Sequence, residues 1–133
     1  MPTRTKPAAT DYAQAAALRE ALRSFQRASD TITARHGLTS RTYQVLLMIK
    51  TGRTGSGYAG LGDLEERLQL GRSTVTELVL RTEERGLLRR ELDPDRRRAI
   101  RIGLTADGER KLANACAELG NERRRLLKLL AEL

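Results

Sequence analysis

The chain has 133 residues, a formal net charge of +8 and aromatic side chains at only 3% of positions. That length suits one domain, the basic excess favours a polyanionic partner, and the scarcity of aromatics removes the stacking platforms that single strands and splayed RNA bases need. No run approaches the roughly 20 apolar residues of a membrane span and no apolar segment follows the basic start as a signal peptide requires, so a cytoplasmic protein without membrane contact is expected.

Residues 1–10, with Pro2, Pro7, Arg4 and Lys6, read as a disordered basic arm ahead of a single domain over 11–133. From Asp11 to Arg35 a long helix carries Leu18, Leu22, Phe25, Ser29, Ile32 and His36 at four- and three-residue steps, a heptad-like stripe ended by Gly37. Residues 40–51, apolar almost all round through Tyr43, Val45, Leu46, Leu47, Met48 and Ile49, read as a buried linking helix. Thr51 to Gly57 is glycine-rich and basic, yet it lacks the Gly-Lys-Ser/Thr ending of a phosphate-cradling loop and reads as a flexible connection.

The next segment, 58–105, carries the most specific pattern. Leu61, Leu64 and Leu68 mark one face of a short helix whose other face holds Asp63, Glu65, Glu66 and Arg67. Gln69-Leu70-Gly71 interrupts it, and a second helix runs from about Arg72 to Arg85, with Val75, Leu78, Val79 and Thr82 inward and Gly86 as its stop. Two short helices joined by so tight a turn form a helix-turn-helix. Arg72, Ser73, Thr74, Thr76 and Glu77 are then the outward set near the second helix's start, short or polar enough to meet base edges in a major groove.

After Gly86 the period falls to two, with Leu88, Arg90 and Leu92 on one strand and Ile100, Ile102 and Leu104 on its partner. Between them Asp93-Pro94-Asp95 supplies turn chemistry, and Arg96, Arg97 and Arg98 load the exposed tip with charge able to reach an adjacent minor groove. Residues 106–133 complete the chain: Thr105 caps a helix carrying Leu112, Cys116 and Leu119, and after Gly120 a last helix carries Leu126, Leu127, Leu130 and Leu133. Residues 11–37 and 106–133 thus offer apolar stripes that the middle segment cannot cover, and a homodimer with interdigitated termini satisfies them. The expected fold is mainly α with a small β-hairpin wing, a winged helix-turn-helix flanked by dimerisation helices.

Leu68-Gln69-Leu70-Gly71-Arg72-Ser73-Thr74-Val75-Thr76, Glu83-Glu84-Arg85-Gly86-Leu87, Asp93-Pro94, Arg97-Arg98-Ala99 and Leu104-Thr105, with Gly37-Leu38-Thr39 and Tyr43 upstream, resemble the MarR family of bacterial regulators. The resemblance spans nearly the whole chain and implies a homodimeric repressor that binds a palindromic operator in double-stranded DNA and is released by a small molecule or an oxidant. The chain departs from the family pattern at Gln69, where the turn usually has glycine, and at Gly71, where a serine or aspartate usually caps the recognition helix. It also has Glu77 where a basic or neutral residue is common, and Arg96 where the wing usually has an acid, with Asp95 adjacent to take its place.

His36 and Tyr43 are candidates for a crevice binding a small aromatic or anionic effector. Cys116, the only cysteine, rules out a disulfide or a four-cysteine metal site within the chain. It is read first as a small buried hydrophobe and second as a redox sensor. No metal site and no cofactor are expected. One histidine and one cysteine without a catalytic pairing argue against an enzyme. A sequence-specific DNA-binding regulator is therefore the leading expectation. Behind it stand a sequence-tolerant architectural DNA binder, a redox regulator acting through Cys116, and a helical interaction module with no nucleic-acid role.

Overall fold

The computed structural model describes residues 5–133, so Arg4 and the start of the expected basic arm lie outside the described residues. Helix α1 (Ala9–Arg35) begins two residues before the expected Asp11, because the Asp11 carboxylate accepts a hydrogen bond from the Ala8 backbone N–H at 2.8 Å and caps the first turn. It ends where Gly37 takes a left-handed φ of +72° and Leu38 N–H donates back to the Thr33 carbonyl.

Helix α2 (Ser40–Gly55) starts from Thr39, whose hydroxyl accepts from Thr42 N–H at 3.1 Å. It does not stop at residue 51, and the expected flexible connection from Thr51 onward is mostly helix. The physical reason is the path of the adjoining strand. Strand β1 (Tyr58–Ala59) crosses so close to α2 that a Cβ on Gly52 would stand 1.9 Å from the Tyr58 carbonyl oxygen. Gly52 is a close-approach residue rather than a helix breaker.

Helices α3 (Leu61–Leu68) and α4 (Arg72–Glu84) form the helix-turn-helix, and strands β2 (Leu88–Leu92) and β3 (Ile100–Leu104) form the wing. The wing is three-stranded rather than a bare hairpin, in the antiparallel order β1-β3-β2, with Leu88 opposite Leu104, Leu92 opposite Ile100 and Ala59 opposite Ile102. Helices α5 (Ala106–Glu118) and α6 (Gly120–Glu132) complete the chain, the first capped by Thr105, whose hydroxyl accepts from Gly108 N–H at 3.0 Å.

One core serves the molecule. Val45, Leu46 and Ile49 of α2 lie at its centre, against Leu64, Val75, Val79, Leu88, Ile102, Leu112 and Leu119. The α1 stripe behaves differently along its length. Ser29 and Thr33 are buried, whereas Leu18 and Leu22 remain 37% and 41% exposed, as do Leu127 and Leu130 of α6 and Leu133 just after it at 38–61%. Helices α1 and α6 run against each other, and the Gln14 side-chain amide donates to the Leu133 carbonyl.

The turn between α3 and α4 stores a local cost. Gln69 has φ +55° and ψ +45°, the left-handed region that disfavours any residue with a Cβ. Gln69→Gly is expected to raise the stability of the fold by about 1 kcal/mol, read as a shift in the denaturant midpoint at constant slope. An unchanged midpoint would show that the Gln69 side chain compensates its own backbone.

Candidate nucleic-acid interface

The exposed ridge of α4 is narrower and longer than its sequence suggests. Val75, Val79 and Thr82 turn inward, so the opposite face is formed by Ser73, Glu77, Leu80, Arg81 and Glu84, all exposed. Thr74 and Thr76, expected outward, flank this ridge and are half-buried, because helical geometry places each on a side of α4 rather than at its crest. Leu80 and Arg81 were not among the expected outward residues. They lie in the third turn, and only the burial pattern of the whole helix brings them onto the face of Ser73. Arg81 forms an ion pair with Glu77 one turn earlier.

Arg72, at the start of α4, is exposed but tied down. Its Nε and Nη2 donate to the Glu65 carboxylate at 3.0 and 2.7 Å, joining α4 to α3 and holding the guanidinium charge more firmly than in water. At the other end of α3, the Asp63 carboxylate accepts from Gly60 N–H at 3.0 Å and from Arg53 Nε at 3.1 Å. These bonds, the backbone one first, hold the Asp63 carboxyl below its ordinary pKa, with the charges of Arg53 and Arg96 adding to the effect. Its contribution to folding is thus present at neutral pH and is lost as pH falls through that depressed value. Arg67 donates to the Met48 carbonyl at 2.8 Å and to the Thr51 hydroxyl at 2.9 Å, which fixes α3 against α2.

The wing is anchored on both faces. On one, Arg90 donates twice to Glu83 of α4, at 3.0 Å for each bond. On the other, Arg101 lies over the Tyr58 ring with its guanidinium carbon 3.8 Å from the centroid and donates to Glu91 at 2.8 Å, while Arg89 donates to the same carboxylate at 3.3 Å. These hydrogen bonds, chiefly that from Arg101, lower the pKa of Glu91. The acid that steadies an arginine in this wing is therefore Glu91, not Asp95.

Beyond the strands, Asp93 organises the tip. Its carboxylate accepts from Asp95 N–H at 2.9 Å, and its own N–H donates to the Ala99 carbonyl at 2.9 Å. Arg98 takes φ +63° to close this turn. Arg96, Arg97 and Arg98 are all exposed, and among the described residues none of the three forms an ion pair.

His36 and Tyr43 are separated. His36 caps α1 and its Nε2 lies 3.1 Å from Glu118 Oε2, an interaction across the ends of α1 and α5, and it does not line the cavity that Tyr43 lines. Tyr43 instead lines a cavity of about 440 Å³ between α1, α2 and the α5–α6 junction, together with Phe25, Leu47, Cys116, Leu119 and Arg123. Burial, aided by the adjacent Cys116 thiol, pushes the Tyr43 hydroxyl up to about 12, so it is a neutral donor at physiological pH. Cys116 is half-buried on the cavity wall, with its Sγ 3.7 Å from Arg123 Nη1.

Among the described residues, no helix is long and apolar enough to cross a membrane. A model of the MarR family matches residues 36–99, from the end of α1 to the wing tip. Among solved structures, the chain is similar to AbsC, a MarR family transcriptional regulator from Streptomyces coelicolor, with a TM-score of 0.79 and 20% identity over 95% of this chain and 84% of that one. It is similar to CouR from Rhodococcus jostii bound to p-coumaroyl-CoA, with a TM-score of 0.72 and 28% identity over 81% of this chain and 73% of that one. A mutant MarR from E. coli complexed with operator DNA gives a TM-score of 0.69 and 17% identity over 83% and 76% of the two chains. No curated protein matches the sequence. Residues 36–99, the helix-turn-helix and most of the wing, thus match the MarR family of winged helix-turn-helix transcriptional regulators, and the flanking helices continue the fold of solved members of that family.

Proposed function

We propose that the protein is a homodimeric repressor that reads a palindromic operator in duplex DNA and is released by a small aromatic or anionic effector. One observation carries the DNA part. The exposed ridge of α4 stands beside an ordered turn presenting Arg96, Arg97 and Arg98 without ion-pair partners among the described residues. A helix in the major groove with a cationic finger in the neighbouring minor groove uses both at once. The dimer is inferred from the exposed leucines of α1 and α6, and a twofold axis relating two α4 ridges gives a palindromic site its geometry. The effector is inferred from the cavity at Tyr43: its walls are mainly apolar, Arg123 supplies a cation for an anionic group, and the similar CouR is bound to p-coumaroyl-CoA.

Binding to a duplex and to its separated strands, measured across salt concentrations, tests the DNA reading. The duplex is expected to bind tighter, with affinity falling steeply as salt rises. Equal affinity for both forms, or a flat salt response, would contradict it.

Glu77 makes the recognition face testable at one position. Its carboxylate can accept from a cytosine amino group while holding Arg81 toward the neighbouring pair. Glu77→Gln is expected to change discrimination by about 1–3 kcal/mol at mirror-related positions of the two half-sites and to strengthen non-specific binding. Base preferences measured on a randomised duplex library decide this, and an unchanged profile would reduce Glu77 to a surface carboxylate.

A further inference from the structure

The wing carries two large apolar side chains that the described residues leave largely exposed. Leu92, the last residue of β2, is 71% exposed, and Ile100, the first of β3, is 49% exposed. The two face each other across the strands as a register pair, so they form one contiguous patch rather than two scattered residues. Alternation along the strands fixes the side of the sheet on which the patch lies. Leu88, Arg90 and Leu92 share one face of β2, and Ile100, Ile102 and Leu104 share the same face of β3. At the inner end this face is core, since Leu88 and Ile102 are buried. One step out, Arg90 reaches Glu83 of α4 with two hydrogen bonds of 3.0 Å, so the face is turned toward α4. Leu92 and Ile100 continue it past the point where α4 can cover it. The arginine tip begins a few residues further on.

We propose that Leu92 and Ile100 form an apolar seat for the sugar edge of duplex DNA, packing against deoxyriboses of the strand that passes between α4 and the wing. The inference rests on the reading of the protein as a duplex-DNA binder and adds to it a contact that is neither base reading nor phosphate neutralisation. The chemistry of the surroundings selects this occupant. An apolar pair flanked on its outer side by three exposed arginines disfavours a cationic partner surface and leaves a purely apolar one facing unpaired charge. It suits a polyanion whose phosphates meet the arginines while its C–H sugar faces meet the leucine and isoleucine. Burial of such side chains adds affinity without releasing counterions, so its signature is separable from that of the arginines.

The test uses the full-length protein and a duplex enriched by it from a random-sequence pool. Leu92→Thr with Ile100→Thr places a β-branched residue on each strand and removes most of the apolar surface. The double variant is expected to bind about tenfold more weakly at every salt concentration, with the slope of log affinity against log salt unchanged and with the same oligomeric state in sedimentation. Affinity within twofold of the parent would overturn the proposal. A reduced salt slope would also overturn it, because the pair would then act only by positioning the arginines. So would a change of oligomeric state, which would assign the patch to a second copy of the chain. If the double variant fails to fold, Leu92→Ala, which removes little packing within the subunit, replaces it. About threefold weaker binding at constant slope supports the seat, and unchanged binding refutes it. A parent protein that enriches no duplex at all refutes the DNA reading itself, and this seat with it.

Discussion

Deleting residues 121–133 is expected to turn the protein into a monomer in sedimentation equilibrium at micromolar concentration and to weaken operator binding by about 10²–10⁴-fold. Leu127 and Leu130 on α6, Leu133 at its C-terminal cap, and Leu18 and Leu22 on α1 are large apolar side chains at 37–61% exposure, carried by two helices that pack against each other. In the proposed dimer a second subunit covers them. Once the linkage is lost, each half-site must be bound separately, and the effective concentration that made the second contact intramolecular disappears. Leu127→Glu with Leu130→Glu is expected to do the same while keeping the helix, since both side chains are exposed in the single subunit. A folded monomer that binds the operator at full strength would refute the dimer.

Replacing both Arg97 and Arg98 with Ala is expected to weaken binding to every duplex by a similar factor and to lower the salt slope by about two, one contact for each arginine. Both guanidinium groups are exposed at the tip of a turn that Asp93 organises through its own backbone and carboxylate, so neither substitution removes a side-chain interaction among the described residues. Arg98 calls for one precaution, because its φ of +63° favours glycine over alanine, and Arg98→Gly provides the control for turn geometry. Base preference is expected to stay where it was. A double variant that keeps the parental slope would show that the wing touches neither phosphate nor groove.

Much of the fold was legible because its elements obey single periods. Leu61, Leu64 and Leu68 placed α3, Val75, Val79 and Thr82 placed α4, and the two-residue alternation on either side of Asp93-Pro94 placed β2 and β3. What escaped depends on contacts between distant segments. Strand β1 is two residues long and exists only because Tyr58 and Ala59 pair with Gly103 and Ile102. Gly52 resembles a breaker until the crossing of Tyr58 explains it, and His36 resembles a crevice residue until Glu118 arrives from 82 positions away. The same holds for the candidate interface. Composition and order point to α4 and the arginine tip, yet the crest of α4 passes through Leu80 and Arg81 because burial on the other side of the helix rotates Thr74 and Thr76 off it. The cavity beside Tyr43 is assembled from four helices, with Phe25, Leu47 and Arg123 meeting far apart in sequence, and no local pattern announces it.

The most direct test of the central claim is selection of bound duplexes from a random-sequence pool by the full-length protein. A single motif with twofold symmetry is expected to be enriched, its half-sites about one helical turn apart or a multiple of it, because two α4 helices related by a dyad must enter successive major grooves. A pool that remains random after selection, or a motif without a dyad, would contradict it.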